Sequence, residues 1–200
     1  MSAPGGGRLR LAVLVSGSGR SLANLLERIN AGQLAAEIGL VVASRSGLRA
    51  EVIARRAGVP VAVIPRAGRD PEAWGSAVFN ACREARAGLV VMAGWLHLLP
   101  IPASFAGRVV NIHPALLPAF GGRGFHGDHV HRAVLDRGCT VSGCTVHLVD
   151  DEYDHGRILL QRTVPVLPDD TVASLGARVF AAECLLLPET IARFAAGNLP

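Results

Sequence analysis

Four short apolar runs, 8–15, 38–43, 59–64 and 89–93, alternate with three helix-length segments in the first half of the chain. The runs are nearly continuous rather than alternating, the pattern of strands buried on both faces of a parallel sheet. Strand–helix alternation with short connections predicts right-handed crossovers and an α/β fold, a doubly wound, mostly parallel sheet with helices on both faces. The punctuation agrees. Ser21 stands where it could cap a helix with apolar positions Leu22, Leu25, Leu26 and Ile29, closed by Gly32. A second helix spans 48–57 and ends at Gly58. Asp70-Pro71 supplies an N-cap and a proline at the first helical position, opening a third helix that runs to about residue 87.

The rhythm then changes. A proline-rich connection, 94–107, leads to a strand at 108–112 and a long loop at 114–127. A loop of that length inside a compact domain is usually functional. A helix at 128–137, paired strands at 140–149 and 158–164, and a closing helix at 171–195 capped by Asp169-Asp170 complete the reading. The chain reads as one domain, 1–200, with 1–8 flexible.

Composition narrows the chemistry. With 50% hydrophobic and 18% charged residues the chain can bury a core. All 20 Lys+Arg residues are arginine, so a lysine-dependent phosphate loop and a lysine Schiff base are both ruled out. The net charge of +4 is spread along the chain, with no basic tract interleaved with aromatics, so no nucleic-acid partner is expected. The apolar stretch after Arg10 stops at Val15, and 89–105 is broken by Gly94, His97, Pro100 and Pro102. Neither run suits a signal peptide or a membrane span, and a cytoplasmic location is expected. Cys82, Cys139, Cys144 and Cys184 show no CxxC spacing and read as reduced core residues. His126, His129 and His131 lie close in sequence but diverge on a helix, so no metal is expected. His147 falls mid-strand and reads as packed or hydrogen-bonded, and Trp95 as a pocket wall or core residue.

Two segments carry the functional signal. Ser16-Gly17-Ser18-Gly19-Arg20-Ser21 joins the first strand to the first helix. Glycines there admit a ligand close to the backbone, and the helix start offers unpaired N–H groups to an anion. A tight turn would need no ligand. A dinucleotide fingerprint fits poorly, because Leu22 occupies its third glycine position and Ser44-Arg45, not an acid, ends the second strand. A phosphate without a dinucleotide fits better. The second segment, Asn111-Ile112-His113-Pro114, lies where a strand meets the long loop. The i, i+2 spacing puts an amide donor and an imidazole on one face, where they could stabilise an oxyanion and move a proton. A carboxylate from the acidic loop 150–154 folded onto His113 would raise its pKa, but spacing does not choose which one.

These segments recur in order with Met92-Ala93-Gly94-Trp95, Leu116-Leu117-Pro118, His126-Gly127, Val130-His131-Arg132-Ala133, Thr145-Val146-His147 and Asp154-x-Gly156-x-Ile158-Leu159-x-Gln161. In that arrangement, over roughly residues 10–190, the chain resembles the glycinamide ribonucleotide transformylases of purine biosynthesis. The resemblance implies a formyltransferase-type fold and transfer of a formyl group from 10-formyltetrahydrofolate, a co-substrate, to the amine of glycinamide ribonucleotide, with no metal. It implies Asn111, His113 and Asp154 as the catalytic trio, with Asp154 keeping His113 charged. Gly19, Arg20 and Ser21 would hold the phosphate and Glu183 the sugar. The pterin would lie among Leu96, His97, Leu98 and Leu99 and the loop Asp150, Asp151, Glu152 and Tyr153. A cis peptide is implied at Leu117-Pro118. Partners would be small molecules only, in a monomer or homodimer. Related formyl-folate enzymes, a formyltetrahydrofolate deformylase or another formyltransferase, are the alternative; those relatives usually carry an additional domain for which 200 residues leave no room. Arg20-Ser21 stands where Ser/Thr-Asn is usual, His97 where an arginine is common, and His155 in place of a glycine, which is expected to crowd the acidic loop.

Overall fold

A computed structural model describes residues 7–199, so the flexible start expected for 1–8 falls mostly outside the described residues. The strands are β1 (Leu9–Val15), β2 (Ala36–Ala43), β3 (Val61–Val63), β4 (Leu89–Met92), β5 (Val109–His113), β6 (Val141–Leu148) and β7 (Ile158–Pro165). The helices are α1 (Arg20–Asn30), α2 (Arg49–Arg56), α3 (Pro71–Glu84), α4 (Asp128–Asp136) and α5 (Val172–Ala195). The strands form one sheet in the order β3-β2-β1-β4-β5-β6-β7. Pairing is parallel from β3 to β5 and antiparallel from β5 to β7.

Both sheet faces are covered. Leu11, Val13 and Val15 of β1 face a core shared with α1, α2, α4 and α5, through Leu22, Leu25, Ala50, Val134, Leu175 and Val179. Ala12 and Leu14 face the opposite core, built on Trp74, Val78 and Phe79 of α3 and on Phe105. The chain therefore winds outward from β1 to β3 on one face and returns to β4 across the other. Beyond the carboxyl ends of β1 and β4 the connections diverge, which is where open α/β sheets bind ligands.

The boundaries differ from the sequence reading in instructive places. Gly19, not Ser21, precedes α1, at a φ of 74°. A Cβ on Gly19 would lie 2.8 Å from the Ala50 Cα, so both the turn and the packing of α2 demand glycine. β3 is cut to three residues, because Pro60 at its start has no N–H to give a neighbour. Asp70 caps α3 as expected, accepting from the N–H groups of Glu72 and Ala73 at 3.0 Å. That helix stops at Glu84, where the chain turns through Arg86 at a φ of 56°. Thr171 caps α5 by accepting from Ser174 N–H at 3.1 Å, while Asp170 binds the Leu167 N–H and the Arg178 guanidinium instead. No helix among the described residues is long and apolar enough to cross a membrane.

Candidate active site

The sheet edge positions the site. Asn111 and His113 project from the same face of β5, and their register partners on β6 are His147 and Thr145. Cross-strand partners share a face, so His147 is carried to Asn111 by strand pairing alone. The Asn111 amide nitrogen lies 3.1 Å from His147 Nε2. His147 Nδ1 lies 2.7 Å from the Leu148 carbonyl, to which it donates. That bond turns Nε2 toward the Asn111 amide and the Asp154 carboxylate, 3.6 Å away.

Thr145 works one layer further in. Its hydroxyl donates to the Ala115 carbonyl at 2.7 Å and accepts from Leu117 N–H at 3.0 Å and from Gln161 Nε2 at 2.9 Å. These bonds pin the start of the 114–127 loop, which contains the cis Leu117-Pro118 bond.

Asp154 arrives from the β6–β7 connection in a left-handed conformation, φ 53°. Its Oδ1 accepts from Asn111 at 3.3 Å, and its Oδ2 accepts from Gly122 N–H at 3.0 Å and lies 3.4 Å from His113 Nδ1. Burial pushes its carboxyl up, but the His147 contact, the nearby His113 and the Gly122 N–H together hold it below the ordinary range. Asp154 is thus the carboxylate that spacing could not choose. The His113 side chain is 3% exposed, and its Nε2 donates to the Phe120 carbonyl at 2.8 Å.

The His113 pKa does not rise as expected. Burial outweighs the pull of Asp154 and Phe120, and the pKa falls below the ordinary histidine value. His113 is therefore neutral at pH 7, its proton on Nε2 and its free lone pair on Nδ1 beside Asp154.

A cleft of about 870 Å³ runs from this cluster to the β1–α1 turn. Asn111, His113, His147 and Asp154 line one end, and Gly17, Ser18, Gly19, Arg20 and Ser21 the other, with Phe180 and Glu183 of α5. Its size matches small-molecule sites. Leu96, His97, Leu98, Glu152 and Tyr153 also border it. The Leu98 N–H donates to the Tyr153 hydroxyl at 3.3 Å and ties the two loops together. Three residues expected beside the pterin are not on the wall. Leu99 is fully buried in the α3-side core. Asp150 turns away to bind His155 at 2.8 Å, and the wall of the cleft does not include Asp151. Nor does His155 crowd the loop as expected: its side chain is 63% exposed.

His131 and His147 are site residues to which the sequence reading gave no part. His147 reaches the site only through the pairing of β6 with β5, which the local sequence does not specify. His131 is buried on the cleft wall with Nδ1 unpartnered, its ring packed over Gly176. Trp95 walls the cleft and stacks on Trp74 with centroids 5.5 Å apart. Among the described residues no group of three His, Cys, Asp or Glu side chains is arranged to hold a metal. Cys82 and Cys144 are buried, whereas Cys139 and Cys184 are only partly so.

Residues 9–191 match the family model described as formyl transferase. The chain belongs to the formyl transferase family. Its relatives include the chloroplastic phosphoribosylglycinamide formyltransferase of Vigna unguiculata, 40% identical over 92% of this chain and 60% of that protein. The phosphoribosylglycinamide formyltransferase of Haemophilus influenzae is 31% identical over 95% of this chain and 89% of its own length. The chain spans 60% and 64% of the two plant relatives it matches. Among solved structures, glycinamide ribonucleotide transformylase 1 from Symbiobacterium toebii superposes with a TM-score of 0.88 at 37% identity, covering 96% of this chain and 90% of that one. The seven-stranded, mostly parallel sheet is thus the formyl transferase fold.

Glu183 lies on α5 between the buried Ala182 and Leu186. Burial pushes its carboxyl up to about 7, and only Arg20 draws it back. Because the folded value exceeds the ordinary 4.5, the associated stability is fully present below pH 4.5 and is lost as pH rises through 7. Glu183→Gln is therefore expected to raise Tm by several degrees at pH 8, at about 2–4 °C per kcal/mol, and to change it little at pH 5. A gain independent of pH in thermal melts would show that burial of the charge is not what Glu183 costs the fold.

Proposed function

We propose that this chain transfers the formyl group of 10-formyltetrahydrofolate to the amine of glycinamide ribonucleotide. The observation that carries the reading is the convergence of Asn111, His113 and Asp154 within 3.4 Å contacts at one end of a cleft whose other end is the β1–α1 glycine turn. Gly19, Arg20 and Ser21 hold the phosphate at that turn, and Glu183 the sugar. Leu96, His97, Leu98, Glu152 and Tyr153 embrace the pterin. Leu99 supports those loops from the core and Asp150 from within the second loop, where it accepts from Glu152 N–H and binds His155.

The chemistry follows from the groups in place. The acceptor amine attacks in its neutral form, which a group of pKa about 7.7–8.0 supplies near neutrality. Attack on the formyl carbon puts negative charge on its oxygen. Asn111 redirects to that oxygen one of the two N–H groups that face His147 and Asp154 in the resting site. The attacking nitrogen becomes acidic on bond formation, and the proton it loses passes to His113 Nδ1, which then donates a hydrogen bond to the Asp154 carboxylate. His113 therefore becomes charged as the oxyanion forms rather than before. The same proton passes on to the folate nitrogen as its bond to the formyl carbon breaks, so His113 ends neutral and the atoms balance without a covalent enzyme intermediate.

Incubation with both compounds is expected to consume the formyl-folate and yield one formylated glycinamide ribonucleotide per turnover. Loss of formyl-folate at an equal rate without the acceptor would instead indicate a deformylase. Transfer only to a different amine would indicate another formyltransferase.

A further inference from the structure

Arg20, the first residue of α1, places its guanidinium carbon 3.6 Å from the centroid of the Phe180 ring on α5. Both residues line the cleft. Among the described residues Arg20 has no carboxylate within ion-pair distance, although Glu183, one turn beyond Phe180, is close enough for Arg20 to lower its pKa. A planar cation seated face-down on an aromatic ring has its flat side occupied and its N–H groups left at the edge. That edge matches the two-oxygen geometry of a phosphate monoester. Flexible arginines lose rotamer freedom when they bind, and a stack that already fixes the group removes much of that loss.

We propose that Phe180 is a positioning residue for acceptor recognition, acting through Arg20, whose guanidinium its ring holds ready for the acceptor's phosphate. This rests on the reading of the cleft as a site for a phosphorylated amine. It adds that the α5 ring, rather than an acidic side chain, orients the cation. An acidic partner would compete with the phosphate, whereas a ring does not. Phe180 itself touches no reacting atom in this scheme.

The test uses Phe180→Leu, Phe180→Tyr and Arg20→Met, and the double variant of Arg20→Met with Phe180→Leu. Phe180→Leu is expected to raise the acceptor KM about tenfold, leaving kcat and the formyl-folate KM within about twofold, and Phe180→Tyr to restore the acceptor KM. In the Arg20→Met background, Phe180→Leu is expected to add less than twofold. An unchanged acceptor KM in Phe180→Leu, or a full tenfold effect in the Arg20→Met background, overturns the proposal. Ribose 5-phosphate binding, followed by thermal shift, separates the two readings. If the wild type forms no formylated product but Phe180→Leu still weakens ribose 5-phosphate binding through Arg20, the reaction assignment fails and the stack stands. If ribose 5-phosphate binds wild type and Phe180→Leu alike, the stack fails whatever the reaction. Should Phe180→Leu not fold, Phe180→Met is read in its place by the same criteria.

Discussion

Asp154→Asn lowers kcat/KM by about 10³ while the protein keeps its fold. The reason lies in what its two oxygens face. Oδ1 accepts from the Asn111 amide, and Oδ2 accepts from Gly122 N–H beside His113 Nδ1. Both oxygens must accept, and only a carboxylate has two acceptors and no donor. An asparagine sets an NH₂ against either the Asn111 NH₂ or the Gly122 N–H. In the second orientation it also donates to the His113 Nδ1 lone pair, which fixes the ring as neutral and bars the proton that the oxyanion calls for. Asn111→Ala removes one oxyanion donor and costs about 10²–10³. Near-normal turnover in a folded Asp154→Asn protein, with Tm within a few degrees of wild type, would remove the carboxylate from the mechanism.

Gly156→Ala damages both stability and turnover. A Cβ at this position would collide with the Leu148 carbonyl oxygen, a backbone atom that is held by its own strand. The loop that carries Asp154 must then move outward. Strain of about 1–3 kcal/mol lowers Tm by roughly 2–12 °C. Displacing Asp154 by even about 1 Å costs on the order of 10² in kcat. Thermal melts and turnover measured on the same sample check this. A variant with wild-type values in both would mean that the loop has room the structure denies it. Gly156→Ala separates from Asp154→Asn in one respect: only the former loses stability together with rate.

The alternation of apolar runs and helices made the parallel half of the sheet legible in the sequence, because each strand buried on both faces is a continuous apolar run. The hairpin β6–β7 was legible as paired strands, but its register was not. His147 became a neighbour of Asn111 only when Asn111 paired with it across the sheet, and no local pattern encodes that offset. The His113 pKa went the other way from the sequence reading for a related reason. Adjacent charge can be inferred from an acidic loop, but burial depends on everything packed around the ring, and here burial wins. Leu99 was drawn toward the pterin by its three neighbours, whereas its side chain turns into the core as any leucine in a buried turn does. The capping of α1 failed for a steric reason: the approach of Ala50 leaves space only for glycine at the turn, and so the helix starts two residues sooner than a cap at Ser21 would set it.

The glycine turn belongs to β1 and α1, while the amide, imidazole and carboxylate belong to β5 and the hairpin that follows it. The two ends of the cleft are thus encoded by separate stretches of gene that meet only across the sheet. Under the proposed function, substitutions that retune which anionic amine is admitted can accumulate at the first stretch without disturbing proton handling at the second. A scaffold divided in this way lends itself to divergence in acceptor choice with the one-carbon chemistry inherited unchanged.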